Sequence, residues 1–485
     1  MRQHDRKPSE LLERDSEWKT LVNFATKPDL GATLGLLYGR RRQGKTFMLE
    51  LLSEATNGFM FTAAQRYGPA NLRTLSHAYQ AYTDTVGAFT DWQAAVDGLL
   101  RLGERDSKPT LVVLDEFPYL LETEPGLSSF IQIALSPRSR AMRQSRTRLI
   151  LCGSALTTMR KLLLGTAPLR GRATMELNLP TLDYREAARL WGIDTNADLA
   201  FRVYALVGGT PAYLAMSHGP VRGVRDFDDW VIRGLLNPAS AIFREGNTLL
   251  YEQPELTDAT LYFSVLSAIA GGAGRRSEIA GRLGRPDNAL AHPLALLEEI
   301  QLVERVEDAL HARRPIYRIT EPVIRFHELI IRDNEALIVS GHGNEVWKSV
   351  QETISSKIYG PAFATISREW ALRYAPREMI GGVPRGIRPA TVACREHRGG
   401  HELDVVVLGG PGADRVLAIG EAKASTRVLG EEHLRRLEHV RELIGVGEAK
   451  LLLFGRAGFS VALRRSAAHR PDVELIDLAM LYGLG

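Results

Sequence analysis

The sequence predicts an α/β fold organised around a parallel sheet, and three segments carry that reading. Gly39-Arg-Arg-Arg-Gln-Gly44-Lys45-Thr46 follows an apolar run over residues 33–38 and precedes a helix-like stretch over 47–55. Pro109-Thr-Leu-Val-Val-Leu114-Asp115-Glu116 is a continuous apolar run ending in two carboxylates. Thr147-Arg-Leu-Ile-Leu-Cys-Gly153-Ser154 is a third apolar run, ending in a small hydroxyl residue. Unbroken apolar strands of this kind are buried on both faces, and their C-terminal ends open into a ligand crevice.

The first segment has the strand–loop–helix context that a phosphate-binding loop requires. Its glycines let successive backbone N–H groups turn towards a triphosphate, the Lys45 ammonium reaches the outer phosphates, and the Thr46 hydroxyl suits a Mg²⁺ position. Asp115 is then placed to hold the metal's water shell and Glu116 to polarise an attacking water. In a parallel sheet Ser154 emerges at the same edge as Thr46 and Asp115, close enough to sense a γ-phosphate. Standing alone, Asp115-Glu116 would read as two solvated acids at a strand exit and Ser154 as a turn residue. The loop upstream selects the nucleotide reading, with ATP and Mg²⁺ as the expected ligands.

Ahead of the first strand, residues 11–21 space their apolar positions as a helix does, and residues 58–63 form a second strand candidate. Between Glu124 and Glu176 no acidic residue occurs, while eight arginines and Lys161 do. That stretch is either a solvated arginine face or a phosphate-contacting surface. The 485 residues suffice for about three domains, and a net charge of +4 permits a nucleic-acid partner without demanding one. The two cysteines, Cys152 and Cys394, are far apart and lack metal-type spacing, so neither a disulfide framework nor a zinc site is expected. No apolar run approaches signal-peptide or membrane-spanning length, so a cytoplasmic protein without a membrane partner is expected.

Tyr38-Gly-Arg-Arg-Arg-Gln-Gly-Lys-Thr, Leu114-Asp-Glu-Phe-Pro118-Tyr-Leu120, Leu151-Cys-Gly-Ser154, Leu169-Arg-Gly-Arg172 and Gly208-Gly-Thr-Pro-Ala-Tyr213-Leu succeed one another in an order that resembles the archaeal-type AAA+/STAND ATPases, over most of residues 8–220. The resemblance implies that Arg14 and Glu17 lie on a helix near the adenine, and that the Ser154 strand separates the Asp115 strand from the loop strand. It implies a small helical lid containing residues 208–214. Arg172 falls on the family's Leu-x-Gly-Arg position, which acts on transferred-phosphate charge in cis or from a neighbouring subunit, leaving a homo-oligomer open. Gln43 departs from the family, which often has an aliphatic residue there; the loop backbone serves either way.

Beyond the lid, residues 256–270, 276–284 and 285–299 read as helices, and 302–308 and 315–320 alternate as two strands around a basic turn at Arg313-Arg314. Three helices with a two-stranded ribbon after them make a winged helix. Its third helix offers Asn288 and His292 but little positive charge, and Pro293 is expected to disturb its middle. Arg305, Arg313, Arg314 and Arg318 of the ribbon are placed to contact phosphates. DNA contact and a purely structural linker both remain open for this region.

The last third holds a second constellation. His401-Glu-Leu-Asp404 opens a strand, a Gly-Pro-Gly turn comes next, and Val416-Leu-Ala-Ile-Gly-Glu421-Ala-Lys423 forms another strand. Alternation puts Glu421 and Lys423 on one face. In a hairpin Asp404 meets Glu421 to bind Mg²⁺ or Mn²⁺, and Lys423 orients or deprotonates a water for attack on a phosphodiester. A helix over 364–374 supplies Glu369 as a further metal ligand. With a helix over 430–443 and a strand over 450–454, this order is similar to the PD-(D/E)XK nuclease core; the alternative is an exposed ion pair on an edge strand.

The expected architecture is therefore an α/β P-loop NTPase sheet with a helical lid, a winged-helix middle domain and an α/β restriction-endonuclease-like C-terminal domain. Its boundaries are 1–180, 181–250, 251–335 and 345–485. The expected function is ATP hydrolysis coupled to DNA binding and metal-dependent cleavage. The alternative is a nucleotide-dependent signalling switch whose nuclease-like domain does not cut.

Overall fold

A computed structural model describes residues 6–105, 107–253, 256, 258–311, 314–394 and 399–484. The chain divides into two compact units, Met1–Thr181 and Leu182–Gly485. Each is considered by itself.

In the smaller unit, β1 (Thr33–Tyr38), β2 (Phe59–Thr62), β3 (Thr110–Asp115), β4 (Thr147–Gly153) and β5 (Ala173–Asn178) form one sheet in the order β2-β3-β4-β1-β5, with every pair parallel. The Ser154 strand thus lies between the Asp115 strand and the loop strand. Both faces are covered, as a parallel sheet requires. Val112, Leu114, Leu149 and Leu151 pack with the helices Trp92–Arg101, Phe117–Thr123 and Leu127–Ala134; Leu111, Val113, Ile150 and Cys152 pack with Asp15–Ala25 and Lys45–Thr56. β5 was not apparent in the sequence because it is an edge strand with a mostly half-exposed pattern and no apolar run. The first helix begins at Asp15, later than the apolar spacing suggested, because Arg14 adopts a left-handed conformation at φ 66°.

Four arginines of the basic stretch make internal contacts, while Arg138, Arg143 and Lys161 are exposed. Arg140 pairs with Glu104 at 2.6 Å, Arg170 donates to Gly165 O and Arg172 to Leu135 O. Arg148 is fully buried and donates to the carbonyls of Lys27, Asp29 and Gly31, closing the segment that leads into β1.

In the larger unit the helices Ala259–Ala270, Arg276–Leu283 and Ala291–Glu299 precede an antiparallel ribbon, β6 (Val303–Val306) and β7 (Ile316–Ile319), around a shared core. The third helix starts only at Ala291, after a turn of 3-10 helix, so Pro293 sits buried in its first turn rather than disturbing its middle. A proline is tolerated there because the first-turn N–H groups have no intrahelical acceptor. Arg313 lies outside the described residues.

The second sheet, β8 (Gly386–Cys394), β9 (Gly399–Gly409), β10 (Arg415–Lys423), β11 (Lys450–Gly455) and β12 (Val473–Asp477), has the order β12-β11-β10-β9-β8. β8, β9 and β10 are joined in antiparallel pairs; β11 and β12 continue parallel to β10. β8 escaped sequence reading because Pro389 interrupts it, which an edge strand tolerates. On one face, Val405, Val407, Ala418 and Phe454 pack with the helix Gly360–Arg373 and share a core with helices as early as Tyr184–Leu190; on the other, Val406, Ile419 and Leu453 pack with Glu431–Leu443. The helices over residues 184–244 therefore build one core with this sheet, whereas Leu249 and Leu250 of the helix Glu245–Tyr251 join the core of the three helices and ribbon.

Arg148→Met retains the side-chain stem but leaves the Lys27, Asp29 and Gly31 carbonyls without their guanidinium donor, at a cost of about 2 kcal/mol. Urea unfolding should show a lower midpoint with an unchanged slope, and Arg148→Lys should recover only part of the loss. A midpoint equal to wild type for the methionine variant would contradict this role.

Candidate functional sites

Strand register assembles the first site. Tyr38 of β1 lies opposite Gly153 of β4, and Leu114 of β3 opposite Leu151. The next residues of each strand therefore emerge at one edge, where the Lys45–Thr56 helix begins. Gly44 caps that helix at φ 86°, a conformation open to glycine and strained for other residues. Gly39 is required by proximity: a Cβ there would meet Gln43 Oε1 at 2.5 Å and Leu179 O at 2.7 Å. Gln43 itself is buried beneath the loop.

Lys45 is buried and its Nζ donates to the carbonyls of Gly39 and Arg40, each at 2.7 Å. Desolvation lowers its pKa, against the opposing pull of Glu116 and Asp115. Thr46 Oγ1 donates to Asp115 Oδ2 at 2.8 Å, and the Glu116 amide donates to Asp115 Oδ1 at 2.9 Å. Ser154 Oγ donates to Glu116 Oε2 at 3.2 Å. Glu116 is itself held at φ 50°, off the strand path and at the cap of the next helix. The structure thus gathers Gly39, Gly44, Lys45, Thr46, Asp115, Glu116 and Ser154.

Arg14 and Arg172 make separate contacts in this unit. The buried Arg14 guanidinium donates to Pro180 O at 2.6 Å and to Glu17 at 3.1 Å. Arg172 is half-buried and donates to Leu135 O at 3.1 Å. Sequence reasoning overlooked Cys152, whose buried thiol lies against Asp115; burial and that carboxylate raise its pKa.

The second site lies at the junction of β9 and β10. Gly420 pairs with Val405, so the next pair along is Glu421 and Asp404. Asp404 Oδ2 accepts from the Ala422 amide at 2.9 Å. β9 carries an extra residue here relative to β8, since Arg388 pairs with Val406 and Ala390 with Leu403. Such bulges re-aim a side chain. Glu421 Oε1 accepts from Lys423 Nζ at 2.7 Å and from Arg436 at 2.9 Å, whereas its buried Oε2 has no hydrogen-bond partner among the described residues. Desolvation raises the Asp404 pKa, and Lys423 opposes that rise.

Asp404, Lys423 and Arg436 line a cleft of about 1090 Å³ that also receives Arg318 of β7 and Arg325. Arg318 Nη1 is buried there without a hydrogen-bond partner among the described residues. Desolvation, reinforced by Arg318, holds Arg325 down to about 10 and the adjacent Arg368 to about 9. Glu304 opposes both shifts, and Glu304, Glu402 and Asp404 line the same cleft. Arg305 instead faces Glu307, while Asn288, His292 and Arg314 lie apart from the cleft lining.

Glu369 does not join Asp404 and Glu421. Its helix covers the sheet face opposite Glu431–Leu443, whereas Glu421 alternates with Ile419 towards the Glu431–Leu443 side. Its neighbour Arg368 reaches the Asp404 carbonyl at 3.0 Å, and Glu369 lies 3.4 Å from Arg373. Cys394 Sγ lies 3.4 Å from His439 Nε2, and His401 adjoins both. The separation of Cys394 and His439 along the chain concealed this pairing.

No family model matches the chain. The uncharacterized protein MJECL04 of Methanocaldococcus jannaschii is 26% identical over 311 residues, covering 63% of this chain and 66%, just under two thirds, of that protein. Among solved structures, the chain is similar to the Walker-type ATPase PABY2304 of Pyrococcus abyssi, at a TM-score of 0.50 and 20% identity over 66% of this chain and 97% of that one. The likeness shows a shared α/β fold over the aligned residues. The Aeropyrum pernix ORC2 protein, in ADPNP-ADP complexes, aligns at a TM-score of 0.38 and 17% identity over 72% of this chain and 98% of that one. Among the described residues, no helix is long and apolar enough to cross a membrane.

Burial, then the nearby Asp183 carboxylate, pushes Glu369 from an ordinary value near 4.5 up to about 7, with Arg373 pulling the other way. A carboxyl raised on folding binds more protons in the native state, so stability falls as pH rises from about 4.5 to about 7 and stays reduced above. Glu369→Gln should therefore gain on the order of 2 kcal/mol over wild type at pH 8 and nothing at pH 4.5. Thermal unfolding at both pH values checks this; the same offset at both would contradict it.

Proposed function

We propose that this protein is an ATP-hydrolysing enzyme of the AAA+/STAND type that binds DNA and cleaves it with a divalent cation. The observation that carries the ATPase reading is the 2.8 Å contact between Thr46 and Asp115, with Glu116 held by Ser154 beside it and Lys45 buried under the loop. A Mg²⁺ bound with the nucleotide would neutralise the charge that builds on its outer phosphates. Thr46 and Asp115 would hold that ion, a fit supported by their oxygens already converging. Lys45 exchanges the Gly39 and Arg40 carbonyls for phosphate oxygens. Glu116 orients a water whose oxygen bonds to the γ-phosphorus as the bond to the bridging oxygen breaks and the electron pair leaves with ADP. Glu116 takes up the proton, and Ser154 fixes the carboxylate's orientation. Arg14 is assigned to the adenine side and Arg172 to transferred-phosphate charge, in cis or from a second copy in a homo-oligomer.

For the remainder we infer a lid over 181–250, a winged helix over 251–335 and a PD-(D/E)XK-like nuclease domain over 345–485. The helix–helix–helix–ribbon order supports the winged helix, and the arginine-lined cleft supports a phosphodiester ligand. The partnerless Glu421 Oε2 beside Asp404 fits a divalent cation, which would polarise the scissile phosphate and its attacking water. Asp404 and Glu421 would hold the ion, Lys423 would orient the water, and Arg318 and Arg325 would position the backbone. One observation favours a non-cutting regulator instead: Lys423 and Arg436 both clasp Glu421 Oε1, neutralising the carboxylate without metal.

Lys45→Ala should weaken ATP binding at least tenfold in calorimetry while the chain stays folded, and Glu116→Gln should bind ATP yet hydrolyse it at least a hundredfold more slowly. Wild-type turnover in Glu116→Gln would reject the assignment. Asp404→Ala and Glu421→Ala should each abolish Mg²⁺- or Mn²⁺-dependent cutting of duplex, single-stranded or branched DNA and leave ATP hydrolysis intact. Absence of cutting by wild type on all three substrates, with ATP hydrolysis retained, would select the regulator.

A further inference from the structure

Cys394 ends β8, His401 lies on β9 and His439 on the helix Glu431–Leu443. The first two are near neighbours across the β8–β9 ladder, where Cys394 pairs with Gly399 and Val392 with His401. The helix packs on that face of the sheet, and its His439 reaches Cys394. One donor atom from each of the three residues lies within 4.8 Å of the others. Cys394 is 4% exposed and His401 8% exposed, so these donors face the interior.

We propose that Cys394, His401 and His439 form a binding site for a zinc-type divalent cation, which fastens edge strand β8 and its hairpin to the helix Glu431–Leu443. Bond lengths near 2.3 Å to sulfur and 2.0–2.1 Å to imidazole nitrogen place the sulfur and nitrogen of a tetrahedral zinc site about 3.5 Å apart. The Cys394–His439 separation of 3.4 Å already matches that edge, and a small rotation of His401 completes the triangle. A thiolate with two imidazoles selects zinc, cobalt or iron over the oxygen-seeking Mg²⁺ and Ca²⁺. Binding displaces the thiol proton and takes the imidazoles neutral, so the three protein donors contribute a single negative charge. A fourth position remains for water. The competing arrangement is a thiol–imidazole hydrogen bond beside the edge-to-face pair of histidine rings, whose centroids lie 5.5 Å apart.

Titration of the metal-stripped full chain with Co²⁺, without nucleotide, separates these arrangements. Site formation predicts one equivalent of Co²⁺ with a near-ultraviolet thiolate-to-cobalt charge-transfer band and the visible bands of tetrahedral cobalt, both erased by added Zn²⁺. Cys394→Ser should lose the charge-transfer band. Cys152→Ser should keep it, and so should Asp404→Ala, which separates this site from the proposed nuclease centre. His439→Ala should weaken Co²⁺ binding at least tenfold. Wild-type protein giving no charge-transfer band, or a band that survives in Cys394→Ser, overturns the proposal; the wild-type titration decides even if a variant misfolds.

Discussion

The first candidate site depends on the register of three parallel strands. Tyr38 of β1 stands opposite Gly153 of β4, and Leu114 of β3 stands opposite Leu151, so β3 ends at Asp115 just short of that level. The residues at and just beyond these strand ends therefore meet at one edge: the loop with Lys45 and Thr46, the acids Asp115 and Glu116, and Ser154. A one-residue slip of β3 would exchange Leu111 and Val113 with Val112 and Leu114 between the two packed faces, and would also carry Asp115 away from Thr46. Packing and chemistry therefore enforce the same register. The two-sided core that makes a parallel sheet stable is also what holds a hydroxyl and two carboxylates at one edge.

The second candidate site is built on a different principle. Its sheet is mixed and partly antiparallel, and its acids meet through cross-strand pairing at a bulge rather than at the ends of parallel strands. The neighbouring cleft sets arginines, whose desolvation is unfavourable, beside the carboxylates Glu304, Glu402 and Asp404. In the proposed function, the buried Lys45 of the smaller unit and the arginines of the larger one both contact phosphate.

Burial decides how much of this was legible in the sequence. β1, β3 and β4 are buried on both faces and appear as unbroken apolar runs, so their terminal residues could be assigned in advance. β5 and β8 are edge strands, one half-exposed and the other interrupted by Pro389, and neither leaves an apolar signature. The alternation of Glu421 and Lys423 was legible because strand period needs only local sequence. Which face the 360–373 helix covers was not, so Glu369 appeared as a ligand when it belongs on the other side of the sheet. Cys394 and His439 were hidden for the same reason: their contact arises only when a helix folds across two strands.

Phosphate release by the wild-type full chain, with ATP across a Mg²⁺ titration, tests the central claim most directly. The account predicts turnover that rises with Mg²⁺, saturates in ATP and disappears on chelation. ATP bound to saturation with no phosphate released at any Mg²⁺ concentration would contradict it.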